Sequence, residues 1–411
     1  MRVLVTGTSG PPVPDGAWPA PEPTDAPGVG STPPAATPGP GPQDVARWWS
    51  ASARERSGTV EHLGLAAAGL GFLDALADAA PELLAGVVPG PGAREVPVAV
   101  RRDPRTATVY VDASQVPALD LPRGAPGEGA VAGGGPRSSA ALGHLLVLAA
   151  DAARTADGRP GRVVVATGGA RSHDAGTGLL HALASHAPSG GTAASGVGRV
   201  TPDLLRAART ALRGVRPVAA VATDAPLLGL HGASAALAAR GVDGTLAQHL
   251  ERALGAAAHD VAVAADALDR AGDTPVGGRD LLAAAAPRRL SGAPGTGSGG
   301  GAAFALAALG GRLVPALRVV ADAVGLDERL AAADLVVVVA DALGAHELGE
   351  GAVREVARRA APHAVPVVVV ARSVVSGRRE QAAAGLSGAY AWGQDEPQDV
   401  VERVARTWSR T

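Results

Sequence analysis

Apolar residues fall along this chain in two kinds of run. Short unbroken runs rich in valine begin at Arg2–Val5 and recur at Val163–Thr167, Val218–Thr223, Leu335–Ala340 and Val365–Ala371. Their length and lack of alternation predict strands buried on both faces, as in a parallel sheet. Longer stretches place leucine, valine and alanine three and four apart, the spacing of an amphipathic helix. Leu142, Leu145, Leu146 and Ala149 do so within Ala140–Arg154, and Val400, Val401, Val404 and Trp408 do so within Asp399–Trp408. Leu204, Leu205, Ala208 and Leu212 follow Thr201-Pro202-Asp203, an N-cap residue with proline at the first helical position.

The same reading predicts helix over most of Leu63–Ala80 and Thr245–Ala267, and around Phe304–Leu309 and Gly351–Ala361. Another helix is expected to start at the N-cap Asp44, with Trp48 and Trp49 packing on a core edge. Val96–Val100 and Ala107–Val111 are expected to pair through a turn at Arg101–Arg105. Strands alternating with helices imply an α/β fold, a doubly wound parallel sheet in outline. Residues 10–43 break the pattern: their proline and glycine clusters cannot build a core and predict a disordered or polyproline-like insert after the first strand. Gly124–Ser139 and Gly190–Gly198 read as loops.

Composition narrows the function classes. With 411 residues and 46% apolar content the chain can form two cores, and a net charge of -2 gives no electrostatic case for nucleic acid or an anionic membrane. No apolar run reaches the roughly 18–20 residues of a membrane span, and Met1–Val5 lacks the form of a cleavable signal. Cysteine is absent, so disulfides and thiolates are excluded; a cytoplasmic protein is expected. Lysine, asparagine and isoleucine are also absent, a skew that resembles the coding bias of a very GC-rich genome. Phosphate contacts would therefore have to come from arginine, histidine or backbone N–H groups.

Two segments carry candidate chemistry. In Val163–Leu180 a strand runs into Gly168-Gly169, then a polar loop and a helix-like stretch. Ligands of open α/β sheets sit outside the carboxyl ends of strands, so Gly168, Gly169, Ser172, His173 and Gly176 are candidate substrate- or nucleotide-binding residues. An ordinary strand–turn–helix connection is the alternative. Asp174 could accept a hydroxyl proton or hold Mg²⁺ in phosphoryl transfer; it could instead cap the helix that follows. In Pro294–Phe304, Gly295, Gly297 and Gly300 fit G-x-G-x-x-G at a helix start, and with Gly299 they are candidate anion-binding positions. A flexible hinge is the competing reading. The ten histidines show no metal-ligand spacing, and no nucleophilic serine sits in a triad pattern.

The order of these segments resembles the glycerate kinase family. Gly168-Gly-Ala-Arg-Ser-His-Asp-Ala-Gly-Thr-Gly178 is similar to that family's Gly-Gly-Ser-Ala-Thr-Asn-Asp-Gly-Gly-Ala-Gly. Pro226-Leu-Leu-Gly229 with Gly232-Ala233, Pro294–Phe304, Gly325–Val336 and Tyr110-Val-Asp-Ala-Ser-Gln115 resemble four further family segments, in the same order. The resemblance implies ATP-dependent phosphorylation of glycerate, with ATP, Mg²⁺ and a small hydroxy acid as partners. It also implies a discontinuous Rossmann-like domain (1–9, 44–90 and 291–411) with an α/β domain (91–290) inserted, and a cleft between them.

The departures include at least four acid or lysine positions. Thr6-Gly-Thr-Ser-Gly-Pro-Pro12 stands where the family has Pro-Asp-Ser-Phe-Lys-Gly after its first strand. Ala67 replaces an aspartate, Ala225 an asparagine, and Val339-Ala-Asp-Ala-Leu-Gly344 the family's Gly-Glu-Gly-Arg-Leu-Asp. Leu237–Val242 takes the place of Phe-Gly-x-Gln-Lys-Gly, and His173 and Ala175 replace Asn and Gly. One lost charged contact commonly costs about 10²–10³ in rate. Three readings follow: an active kinase, a pseudo-kinase that binds a small ligand or protein partner without turnover, and a remnant of the fold alone.

Overall fold

A computed structural model describes residues 1–8, 39–52, 58–90, 94–116, 119–120, 137–187, 198–239, 242–273 and 290–409. Most of the expected insert (10–38) and of the two glycine-rich loops (124–136 and 190–197) lie outside those residues. The described chain divides into two compact units, one from residues within 1–12, 27–66 and 317–411, the other from residues within 67–316.

The first unit is an all-parallel sheet. Its strands, numbered in chain order through the molecule, are β1 (Arg2–Thr8), β2 (Thr59–Leu65), β11 (Leu335–Leu343), β12 (Val367–Val374) and β13 (Gly388–Ala391), in the spatial order β13-β12-β11-β1-β2. The two valine runs lie side by side, Val336 to Val339 against Val367 to Val370. Val3, Val5, Val337 and Val339 pack on one face against Val45 and Trp49 of helix Pro42–Ser52 and Val400, Val401 and Val404 of helix Pro397–Trp408. Helix Ala352–Ala360 contacts the same strands and buries Val353 and Val356. Valine suits these strands because both of their faces are dry.

Two expectations are corrected here. Helix Pro42–Ser52 starts two residues before Asp44, whose carboxylate instead accepts the Gly41 N–H from inside the first turn. Within Leu63–Ala80 only Leu70–Ala75 is helical, because Thr59–Leu65 pairs in parallel with β1. Pairing with a strand distant in sequence overrides the local leucine–alanine preference.

Arg359 holds three helices of this unit together. It is 5% exposed and reaches Glu355 at 2.6 Å, Asp327 at 2.9 Å and Asp322 at 2.5 Å. Burial works against both charges, yet these contacts hold Arg359 above and Glu355 below their usual pKa ranges. Arg359→Met is expected to cost about 2–3 kcal/mol in urea unfolding. That is less than the 3–5 kcal/mol of a fully buried broken pair, because Asp322 and Asp327 stay half in water.

The second unit has a six-stranded mixed sheet. β3 (Glu82–Pro89), β4 (Glu95–Asp103), β5 (Thr108–Asp112), β8 (Gly161–Ala166), β9 (Val215–Val221) and β10 (Arg312–Pro315) lie in the order β10-β9-β8-β5-β4-β3. β5, β8, β9 and β10 are mutually parallel, while β4 and β3 run antiparallel. β6 (Leu119–Asp120) and β7 (Arg137–Ser138) form a separate two-residue ladder. The boundaries drawn near 91 and 290 from sequence fall inside this unit: β3 pairs with β4 across the first, and β10 pairs with β9 beyond the second. Leu142, Leu145 and Leu146 of helix Ala140–Ala153 share a core with Val163, Val165, Leu179, Leu180 and Leu183. Thr201 caps helix Pro202–Ala211 as expected, its hydroxyl accepting the Leu204 N–H at 3.2 Å.

Candidate functional site

The two glycine segments singled out in the sequence meet at the carboxyl end of β8. Thr167 Oγ1 lies 2.8 Å from Ser298 Oγ, the Ser172 hydroxyl donates to the Gly299 carbonyl at 2.9 Å, and the Ala175 N–H donates to the Gly300 carbonyl at 3.2 Å. Glycine is needed for this approach. Gly300 has φ +60°, and a Cβ there would lie 1.8 Å from the Ser172 carbonyl oxygen; Gly301 has φ +100°, and its Cβ would lie 2.4 Å from Ala175 Cα. Both loops are buried against each other.

That packing removes the phosphate cradle expected at Gly295, Gly297, Gly299 and Gly300. A cradle needs N–H groups free to face the anion. Here Gly295 N–H donates to Asp224, Thr296 to Ala293, Gly297 to Ala225, Ser298 to Gly295 and Gly300 to Gly297, all through carbonyls at 3.0–3.3 Å. The helix that follows, Ala302–Ala308, has only seven residues and Ala302–Leu306 are fully buried. These glycines serve close backbone packing. By contrast, the N–H groups of Gly168 and Gly169 form no hydrogen bond among the described residues.

Asp174 is likewise committed. Its Oδ2 accepts from the Ser139 N–H (2.8 Å), the Ser139 hydroxyl (3.0 Å) and the Gly178 N–H (3.0 Å), and its Oδ1 accepts from the Gly176 N–H (2.9 Å). It thus ties the start of helix Ala140–Ala153 to the start of helix Thr177–Ser185. Burial outweighs these four bonds and raises its pKa above the usual carboxylate range. With 5% exposure it has no open face for a substrate hydroxyl or Mg²⁺, so of the two expected roles the geometry favours the cap. His173 is also buried, with Nε2 2.9 Å from Ser234 Oγ, and burial lowers its pKa to about 4. It is neutral near pH 7 and cannot serve as a phosphate cation. No group of three or more His, Cys, Asp or Glu among the described residues could hold a metal ion. Asp174, His173 and the bonded N–H groups of the 295–300 loop therefore do not fit ATP phosphates or Mg²⁺, and of the nominated residues Gly168 and Gly169 keep N–H groups that could face an anion.

A titrating acid that the sequence did not flag ends β5. Asp112 is 2% exposed and accepts from the Ser114 N–H (2.9 Å), the Ser114 hydroxyl (2.8 Å) and the backbone of Gly69; burial outweighs these and raises its pKa to about 6. The native state therefore takes up this proton before the unfolded chain does. Its contribution to stability is greatest below about pH 4 and declines as pH rises to about 6. Asp112→Asn is expected to add up to about 3 kcal/mol at pH 7, two pKa units at about 1.4 kcal/mol each, and nothing at pH 4. Urea unfolding of both proteins at the two pH values measures this.

Beside the Gly168–Ser172 loop lies a shallow concavity with room for about one water molecule. Ala113, Val116, Leu142 and Ala170 form its apolar side, and Arg171, Ser138 and Ser172 its polar side. Arg171 is exposed and makes no ion pair among the described residues. It is the cation the sequence reading passed over, since nothing in the local pattern separates one arginine of a loop from the many others.

The chain matches the model of the glycerate kinase family over residues 41–409. Two uncharacterized proteins, one from Mycobacterium bovis and one from Mycobacterium tuberculosis, are each 30% identical to it over 323 residues, spanning 78% of this chain and 72% of theirs. Among solved structures, a protein provisionally named glycerate kinase 2 from Salmonella typhimurium LT2 superposes with a TM-score of 0.59 at 21% identity, covering 100% of this chain and 97% of that one. At that identity the likeness concerns the fold.

Proposed function

Because the chain belongs to the glycerate kinase family, we propose that it is a glycerate kinase-like protein that binds a small hydroxy acid and has lost phosphoryl transfer. The family and its fold support a glycerate kinase-like function, and ATP-dependent phosphorylation is the activity that family implies. Phosphoryl transfer depends on positioning and on charge stabilisation of the transferring group. The observation that carries the proposal is the commitment of the inherited loops: Asp174 accepts four hydrogen bonds, and the N–H groups of five residues within 295–300 are bonded to nearby carbonyls. A buried neutral His173 adds no cation. Arg171, exposed and without an ion pair among the described residues, is the cation this loop offers to a ligand carboxylate. Calorimetric titration of glycerate into the full chain tests the binding half of the proposal. Saturable heat is expected; a flat titration up to tens of millimolar glycerate contradicts it.

A further inference from the structure

We infer that the outer edge of β3 is where two copies of this chain pair, strand against antiparallel strand, about a two-fold axis at Ala85. Among the described residues β3 is the last strand of its sheet, eight residues long and paired with β4 without a bulge. A long apolar edge invites pairing with another chain, and proteins usually blunt it with charge, a bulge or a short strand. The other described edges follow that rule: β10 and β13 have four residues each, and β2 carries Glu61 and His62. In β3 the charged residue is Glu82, at its start and tied to Arg102 of β4. Leu83 is 58% exposed, Val87 is 55% exposed, and Ala85 between them is exposed as well. Leu84 and Val88, on the opposite face, pack into the core.

Backbone direction sets the register. The Gly90 N–H donates to the Arg94 carbonyl at 2.8 Å. Ala99, opposite Ala85, has its N–H and its carbonyl both bonded to the Gln115 side chain, at 2.8 and 2.9 Å. Even-numbered residues of β3 therefore bond to β4, while the N–H and C=O groups of Leu83, Ala85 and Val87 point outward. With the axis at Ala85, Leu83 of one copy lies opposite Val87 of the other, and Ala85 lies opposite its own copy. Each of the three then gives and accepts a hydrogen bond, and the exposed apolar side chains share one face. Pro81 and Pro89, which have no N–H, meet each other at the two ends. Sliding one strand by two residues sets Pro81 against Val87 or Pro89 against Leu83, and sliding it by one opposes groups already bonded to β4. Only one register pairs all three outward residues. It uses up both edges, so assembly closes at two.

A single shared ladder is smaller than the usual stable interface, so dimerisation is expected in the micromolar range. Sedimentation velocity of the full chain from about 1 to 100 µM should show monomer giving way to dimer, with no larger species. Ala85→Pro deletes an outward N–H that β4 does not use, and should raise the dissociation constant at least about 10-fold. Leu83→Lys and Val87→Glu, both at exposed positions, should each do the same by setting a charge against an apolar residue of the other copy. An equimolar mixture of these two variants should recover dimer, because the two new charges then face each other. A mixture of Leu83→Lys with Leu83→Glu should not. Circular dichroism checks that each variant is folded, and if Ala85→Pro is not, the charge variants and their mixtures decide the matter. Monomer at every concentration, growth beyond dimer, a wild-type dissociation constant in the variants, or equal behaviour of the two mixtures overturns the inference.

Discussion

Gly300→Ala is expected to destabilise the second unit by about 4 kcal/mol or more, an effect at the extreme of single substitutions. Two costs combine. The backbone at φ +60° is left-handed, which an alanine adopts at a penalty of about 1–2 kcal/mol. The new methyl also meets the Ser172 carbonyl oxygen at 1.8 Å and its carbon at 2.6 Å, and both are backbone atoms that cannot rotate away. Relief would require the two loops to separate, breaking the Ser172–Gly299 and Ala175–Gly300 bonds. Urea unfolding followed by circular dichroism should show a much lower midpoint. A variant as stable as wild type would mean that the loops do not pack as described and that the glycines are free to cradle an anion.

Asp174→Ala is expected to cost about 3–5 kcal/mol, because each buried donor left without an acceptor costs roughly 1–3 kcal/mol. The Ser139, Gly176 and Gly178 N–H groups would be left buried without an acceptor. Asp174→Asn keeps one acceptor oxygen but sets an NH₂ against those donors, so it should recover little. Apart from stability, a folded fraction of either variant should bind glycerate about as well as wild type, because Asp174 does not line the concavity. A catalytic or metal-holding Asp174 predicts the reverse pattern, with normal unfolding and altered ligand or metal response.

Much of the fold could be read before the structure, because valine runs buried on both faces and helices with a clear apolar stripe have little ambiguity of period. β11 and β12 and the helices at Ala140–Ala153 and Pro202–Ala211 belong to this class. The failures lie where long-range pairing decides. Thr59–Leu65 forms a strand because β1 is beside it, and β3 joins the second unit because β4 folds back on it. Neither fact has a local signature. For the candidate site, the sequence singled out two loops that pack against each other and left open what their residues do. A glycine that admits a phosphate and a glycine that admits a neighbouring backbone look alike in sequence, and so do an aspartate that takes a proton and one that caps two helices. Only the partners of Gly300 and Asp174 separate these cases. Arg171 and Asp112 were missed for a related reason: the first matters through its lack of an ion pair among the described residues, the second through its burial.

The most direct measurement is phosphoryl transfer itself. The full chain is incubated with glycerate, ATP and Mg²⁺, and phosphoglycerate is followed by ³¹P nuclear magnetic resonance, with glycerate binding confirmed in the same preparation. The account predicts bound glycerate and no phosphoglycerate above a protein-free blank. Product that accumulates in proportion to protein concentration over many turnovers would contradict it.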